Sequence, residues 1–269
     1  MDLQLQQQHI LITGGSRGIG LACAAGFLAE GARVTLVGRS PQHLAEARAN
    51  LLAQHPGREA DIRCHSADVT DAQAAQQMVS AVQSGADALG PVDVLVNCAG
   101  AAKRTPAGEL TADIWHAALQ AKFFAYIHVI DPLIKQMAAR RKGVVINVVG
   151  MGGKVPSPVH LPGGSANAAL MLASAGYAAA YVGQGVRVNA VNPSTTHTTR
   201  MDEGLKAEAR AAGITPQEAL DRINRKHPMG RVAEPEEMAH AVVFLASAKA
   251  SYINGAVLCV DGGLNPMVV

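Results

Sequence analysis

Short apolar runs alternate with longer amphipathic stretches along this chain. The runs fall at residues 9–12, 33–37, 61–64, 92–96, 144–148, 186–191 and 256–260. Continuous apolar character, rather than strict alternation, marks strands that are covered on both faces. Most of these runs are separated by a segment long enough for a helix. The pattern therefore predicts an α/β chain: a seven-stranded, doubly wound parallel sheet with helices on both faces. Pro91, Pro235 and the pair Gly262-Gly263 punctuate the ends of predicted elements, as turn chemistry requires. Residues 193–235 break the rhythm, polar at first and then carrying two weak helical stretches. They read as a flap over a pocket at the carboxyl ends of the strands. With no internal repeat or low-complexity linker, residues 1–269 read as one domain.

Composition narrows the partners. A chain of 269 residues that is 49% hydrophobic can bury one substantial core. Its 23 basic and 21 acidic side chains are scattered, for a net charge of +2. That leaves no basic stripe for nucleic acid and points to a small-molecule substrate. Cys23, Cys64, Cys98 and Cys259 show neither metal-ligand spacing nor a disulfide framework, so no metal site is expected and the thiols read as reduced. The polar first residues do not resemble a signal peptide, and no apolar run nears the roughly 20 residues that a membrane helix needs. A cytoplasmic protein with no membrane partner is the expectation.

The sharpest local motif is Thr13-Gly14-Gly15-Ser16-Arg17-Gly18-Ile19-Gly20, set between the first strand and a helix. Glycines at this place let the chain turn tightly, admit a pyrophosphate against bare amides and aim a helix N-terminus at its charge. The second strand ends in Gly38-Arg39-Ser40. An acidic residue there would bind a ribose 2′-hydroxyl, whereas Arg39, Ser40 and Arg17 suit a 2′-phosphate. NADP(H) is expected over NAD(H), the alternative being a merely solvated arginine.

Thr13-Gly14-x-x-x-Gly18-x-Gly20, Asp68-Val69, Asn97-Cys98-Ala99-Gly100, Asn192-Pro193, Asn254-Gly255 and Val260-Asp261-Gly262-Gly263 occur in that order. Together they resemble the motifs of the short-chain dehydrogenase/reductase family over almost the whole chain. The resemblance implies a Rossmann fold. It implies that Asp68, beside Val69, meets the adenine amino group and that the turn from Asn97 through Ala99 to Gly100 lines the adenine ribose. It also implies that the segment containing Pro193, Thr195 and Thr198 closes over the nicotinamide. Ser194 stands where a glycine is usual.

The family's proton-transfer tetrad is Asn, Ser, Tyr and Lys, and here the chain departs from it. In ungapped register the Ser and Tyr positions hold Gly150 and Gly163, the Lys position holds Asn167, and the Asn position holds Lys122. Asn and Lys look exchanged, and two hydroxyls are gone. Carbonyl reduction needs a proton donor and a group to stabilise the oxyanion, and glycine offers neither through a side chain. Lys122, Asn167 and His160 are the catalytic candidates, with Ser165, Lys154 and His197 as further substitutes. His160 reads either as a solvated loop histidine or as a donor. Lys122 reads either as snorkelling outward or as a buried amine reaching Asn167 and the nicotinamide ribose.

Lys103, Arg104, Lys154 and Arg200 lie in segments expected at the pocket mouth and hint at an anionic substrate. Residues 165–184 form an alanine-rich predicted helix whose small side chains would let another backbone approach, as in a homo-oligomer, dimer or tetramer. Two functions follow. One is an NADP(H)-dependent oxidoreductase acting on a carbonyl or alcohol with a non-family donor. The other is a catalytically silent NADP(H)-binding sensor or partner subunit.

Overall fold

In the computed structural model the described residues are 1–100 and 102–267, without the side chain of Ala211, so residues 101, 268 and 269 of the expected domain lie outside the description. All seven apolar runs are strands: β1 His9–Thr13, β2 Arg33–Gly38, β3 Ile62–Ser66, β4 Val94–Asn97, β5 Gly143–Val148, β6 Val186–Pro193 and β7 Val257–Val260. They form one sheet in the order β3-β2-β1-β4-β5-β6-β7, and every neighbouring pair is parallel. The helices are α1 Gly18–Ala29, α2 Pro41–Gln54, α3 Ala72–Ser84, α4 Ala112–Leu119, α5 Ala125–Ala139, α6 Leu161–Tyr181, α7 Thr199–Ala212, α8 Pro216–Asn224 and α9 Pro235–Ala246.

Strand side chains alternate between two cores. Ile10 and Ile12 join Phe27 of α1, Leu51 of α2 and Val242 of α9. Leu11 faces the other way, with Met78 of α3, Tyr126 and Val129 of α5 and Leu170 of α6. The two-residue period of a strand thus serves both layers. The chain order reverses between β1 and β4, which opens a crevice at their carboxyl ends, the usual ligand place in an open α/β sheet.

Two boundaries differ from expectation in ways that shape the site. α6 begins at Leu161, ahead of residue 165, because Pro162 occupies its first turn, where a missing N–H costs nothing. Gly163 and Gly164 are therefore helical, and His160 is the N-cap. Residues 193–235 contain the helices α7 and α8, joined at Gly213, with Thr215 and Glu218 forming a capping box. An isolated bridge between Thr196 and Ala233 ties the two ends of this segment together.

Candidate active site

The glycine-rich turn is a close approach of two backbones. Gly14 has φ 67°, and a Cβ there would stand 2.8 Å from the Ala99 nitrogen. A Cβ on Gly20 would collide with the Gly14 carbonyl, so helix and turn pack without side chains between them. Gly18 lies 3.2 Å, from its would-be Cβ, to the Thr198 methyl, which places the start of the 193–235 segment over the turn. Ser16 Oγ would be 3.5 Å from a Cβ on Gly38, so the turn also borders the end of β2. There Arg17 and Arg39 are exposed. Ser40 Oγ accepts from the His43 amide at 3.3 Å to cap α2, and its hydroxyl hydrogen remains to donate outward. This bare, basic cradle fits a dinucleotide with a 2′-phosphate.

Two residues expected at the cofactor site, Asn97 and Val69, have buried side chains. The fully buried Asn97 side chain holds in place the turn expected to line the ribose. Thr13 Oγ1 donates to Asn97 Oδ1 at 3.2 Å, Asn97 Nδ2 donates to Asn147 Oδ1 at 3.0 Å, and Asn147 Nδ2 donates to Ser174 Oγ at 2.9 Å. Asn147 and Ser174 were not anticipated, although a lone polar residue inside the apolar run of β5 was the signal. Val69 is buried as well, and its carbonyl accepts from His128 at 3.2 Å. Asp68 is exposed, with Oδ1 taken by the Thr70 amide and hydroxyl and Oδ2 free of them.

On the other side of the crevice the two tetrad glycines are occupied by neighbours. A Cβ on Gly163 would overlap Cε1 and Nε2 of His160 and stand 2.8 Å from Ala102 Cβ. Gly150 has φ 132°, a conformation that L side chains rarely adopt, and its would-be Cβ is 3.2 Å from Asn167 Nδ2. From Gly152 the same construction meets His160 Cδ2 at 3.3 Å and Asn167 Nδ2 at 3.5 Å. The imidazole and the amide thus converge over three glycines.

Their hydrogen-bonding states suit a ligand. His160 Nδ1 is buried with no partner among the described residues. Burial, then the nearby Arg104 and Lys122 charges, hold the imidazole below its usual pKa. Asn167 is 7% exposed.

Lys122 is placed, but not as expected. It lies on a π-helical turn, Gln120–Phe124, between α4 and α5. With 8% exposure it does not snorkel. Its Nζ donates to Tyr126 Oη at 2.9 Å and to the Val148 carbonyl at 3.1 Å, and Tyr126 Oη also donates to Val148 at 2.6 Å. The expected reach to Asn167 is therefore corrected: Tyr126, one turn along the same helix face, catches the ammonium first. Burial, with Arg200 adding to it, lowers the Lys122 pKa to about 8. Of the other substitutes, His197 is bound to Asp202 at 2.9 Å, Ser165 is exposed and Lys154 is half-buried.

Comparison with known proteins supports the fold and the cofactor cradle. A short-chain dehydrogenase family model, described as enoyl-(acyl carrier protein) reductase, matches residues 14–265. The chain is 34% identical over 264 residues to 2-(S)-hydroxypropyl-CoM dehydrogenase 3 of Xanthobacter autotrophicus, covering 98% of this chain and 99% of that one. L-sorbose reductase of Gluconobacter frateurii, solved with NADPH and L-sorbose, superimposes with a TM-score of 0.92 at 30% identity over 100% of both chains. An NADPH-bound short-chain oxidoreductase of Pseudomonas aeruginosa with an atypical catalytic center gives 0.87 at 28% identity, covering 98% of this chain and all of that one. Among the described residues no helix is long and apolar enough to cross a membrane, and no cluster of His, Cys, Asp or Glu is fit for a metal. With its fold, glycine turn and motif order, the chain belongs to the short-chain dehydrogenase/reductase family of NAD(P)-dependent oxidoreductases.

Proposed function

We propose that this protein is an NADP(H)-dependent oxidoreductase that interconverts a carbonyl and its alcohol, with His160 in the place of the family's tyrosine. The observation that carries the reading is the imidazole filling the space above Gly163. The cradle of Gly14, Ser16, Arg17, Gly18, Ile19 and Gly20, with Arg39, Ser40 and Asp68, binds NADP(H), which when bound supplies or accepts the hydride. The turn from Ala99 to Gly100 and the segment with Pro193, Thr195 and Thr198 complete the binding site, and the 193–235 flap closes over it.

In the reductive direction the Asn167 amide and His160 Nε2–H hold the substrate oxygen. Both donors are aimed before reaction begins, which is where electrostatic catalysis gains most. As charge grows on that oxygen, the protonated His160 ring gives it the Nε2 proton and is left as neutral imidazole. Lys122 contributes its charge from behind through Val148, the strand residue next to the Gly150 turn. In the oxidative direction the same nitrogen accepts the proton.

The experiment is NADPH consumption over a panel of carbonyl compounds by wild type and His160→Ala. The expected loss in the variant is about 100- to 10,000-fold in kcat, with NADPH affinity unchanged. One observation favours the second reading, a silent NADP(H) sensor or partner subunit: the Lys122 amine is already engaged within the protein. A wild type that binds NADPH and consumes none with any carbonyl would establish it. The exposed face of α6, with Ser165, Ala168, Gly176 and Ala179 around a Leu172 that is 77% exposed, packs against a second copy in this reading. A monomer in light scattering at micromolar concentration would refute that.

A further inference from the structure

Positive charge gathers around His160 without a carboxylate to match it. Lys122 is 8% exposed and bonded only to a hydroxyl and a carbonyl. The Thr105 amide donates to the Val159 carbonyl at 3.0 Å, which lays the segment bearing Arg104 beside His160. Ala102 of the same segment flanks Gly163. The N-terminus of α6 opens onto this place with no acidic residue in its first turn and no side-chain cap from His160, and a helix of 21 residues presents a positive dipole end there. The Thr105 hydroxyl, 5% exposed, has no partner among the described residues. None of the ion pairs among the described residues uses Lys103, Arg104, Lys122, Lys154 or Arg200. A buried ammonium without a counter-charge is a costly arrangement. The cofactor's phosphates do not account for it, because the glycine turn with Arg17 and Arg39 takes them at β1 and β2.

We infer that the substrate brings the missing charge: it is an oxo acid or hydroxy acid whose carboxylate sits between Arg104 and the N-terminus of α6, with Lys122 behind. The inference rests on the oxidoreductase reading above. It also gives the anion a part in the chemistry. Arg104 and Lys122 oppose a proton on His160 until the carboxylate offsets them, so binding of the correct substrate restores the acid that reduces it.

The test compares short 2-oxo and 3-oxo acids with their methyl esters, using NADPH-loaded wild type and Arg104→Gln. Arg104 is exposed, so its replacement leaves the core untouched. Wild-type kcat/KM should favour an acid over its ester by about ten- to a hundredfold, the worth of one charge-assisted hydrogen bond, and that ratio should fall towards one in Arg104→Gln. In the NADPH complex, the NMR titration midpoint of His160 should rise on adding the acid and stay put with the ester. An ester reduced as fast as its acid, or a preference that survives Arg104→Gln, overturns the inference and leaves the oxidoreductase standing. An acid that binds and moves the His160 midpoint without NADPH consumption keeps the anion site, removes the oxidoreductase and so overturns the acid as its substrate. No binding and no midpoint change for any acid overturns the inference.

Discussion

Glycine has opposite uses on the two sides of the crevice. At Gly14 and Gly20 it brings backbone against backbone, and nothing else enters the space it leaves. At Gly150 and Gly163 it vacates room that His160 and Asn167 then fill from elsewhere in the chain. One side can be read from the residues themselves, since a bare turn is its own function. On the other side the informative residue is a neighbour of the glycine in space. A missing catalytic side chain is therefore weak grounds for inferring a missing catalytic group.

The largest separation of the two sides should come from Asn167→Leu. If the amide holds the developing oxyanion, kcat falls about 100- to 1,000-fold, as for other single oxyanion donors, while calorimetry finds NADPH affinity unchanged. An equal loss in affinity would mean that Asn167 serves the cofactor side.

Lys122→Met sharpens the electrostatic half of the contrast. The folded-state pKa of about 8 lies below the ordinary lysine value of 10.5, so the unfolded chain binds the proton more strongly. Lys122 therefore destabilises the fold fully below pH 8, and the penalty fades as pH rises towards 10.5. Wild-type stability should climb through that window by about 3 kcal/mol, and Lys122→Met should remove that component while being more stable at neutral pH. Urea denaturation across pH 7 to 10 checks it, and an identical climb in both proteins would be the contrary result.

Arg39→Asp acts on the cradle alone. Its NADPH affinity should drop about ten- to a hundredfold, for a lost contact of about 1.5 to 3 kcal/mol, with turnover at saturating NADPH retained. Retained NADPH preference would refute the 2′-phosphate role.

The smallest effect belongs to Gly163→Ala. In a helix this exchange ordinarily stabilises by about 1 kcal/mol. Here the new methyl meets the imidazole, so thermal unfolding should show no gain while turnover falls.

The sheet was legible because its five inner strands, β2, β1, β4, β5 and β6, are covered on both faces and read as largely apolar runs, whereas the edge strands β3 and β7 are only partly covered. The cradle was legible because its residues are consecutive. The start of α6 was not, since Gly163-Gly164 looks like a break until Pro162 is seen to open the helix. Tyr126 could have been found from its place one turn beyond Lys122, which would have corrected the expected reach to Asn167. The seat of His160 above Gly163 depends on how the 151–160 loop folds back, and no local pattern encodes that.

The row of polar groups beneath the crevice has a direction. The Ala99 amide donates to Thr13, Thr13 to Asn97, Asn97 to Asn147, Asn147 to Ser174, and Ser174 to the Leu170 carbonyl at 2.6 Å. Each link fixes the sense of the next, because turning one amide over would set acceptor against acceptor or donor against donor. The row behaves as a line of dominoes with one permitted lean, each bond polarising its neighbour. Replacing Asn97 or Asn147 alone by a residue of other polarity would therefore strand a buried donor or acceptor on each side of the break.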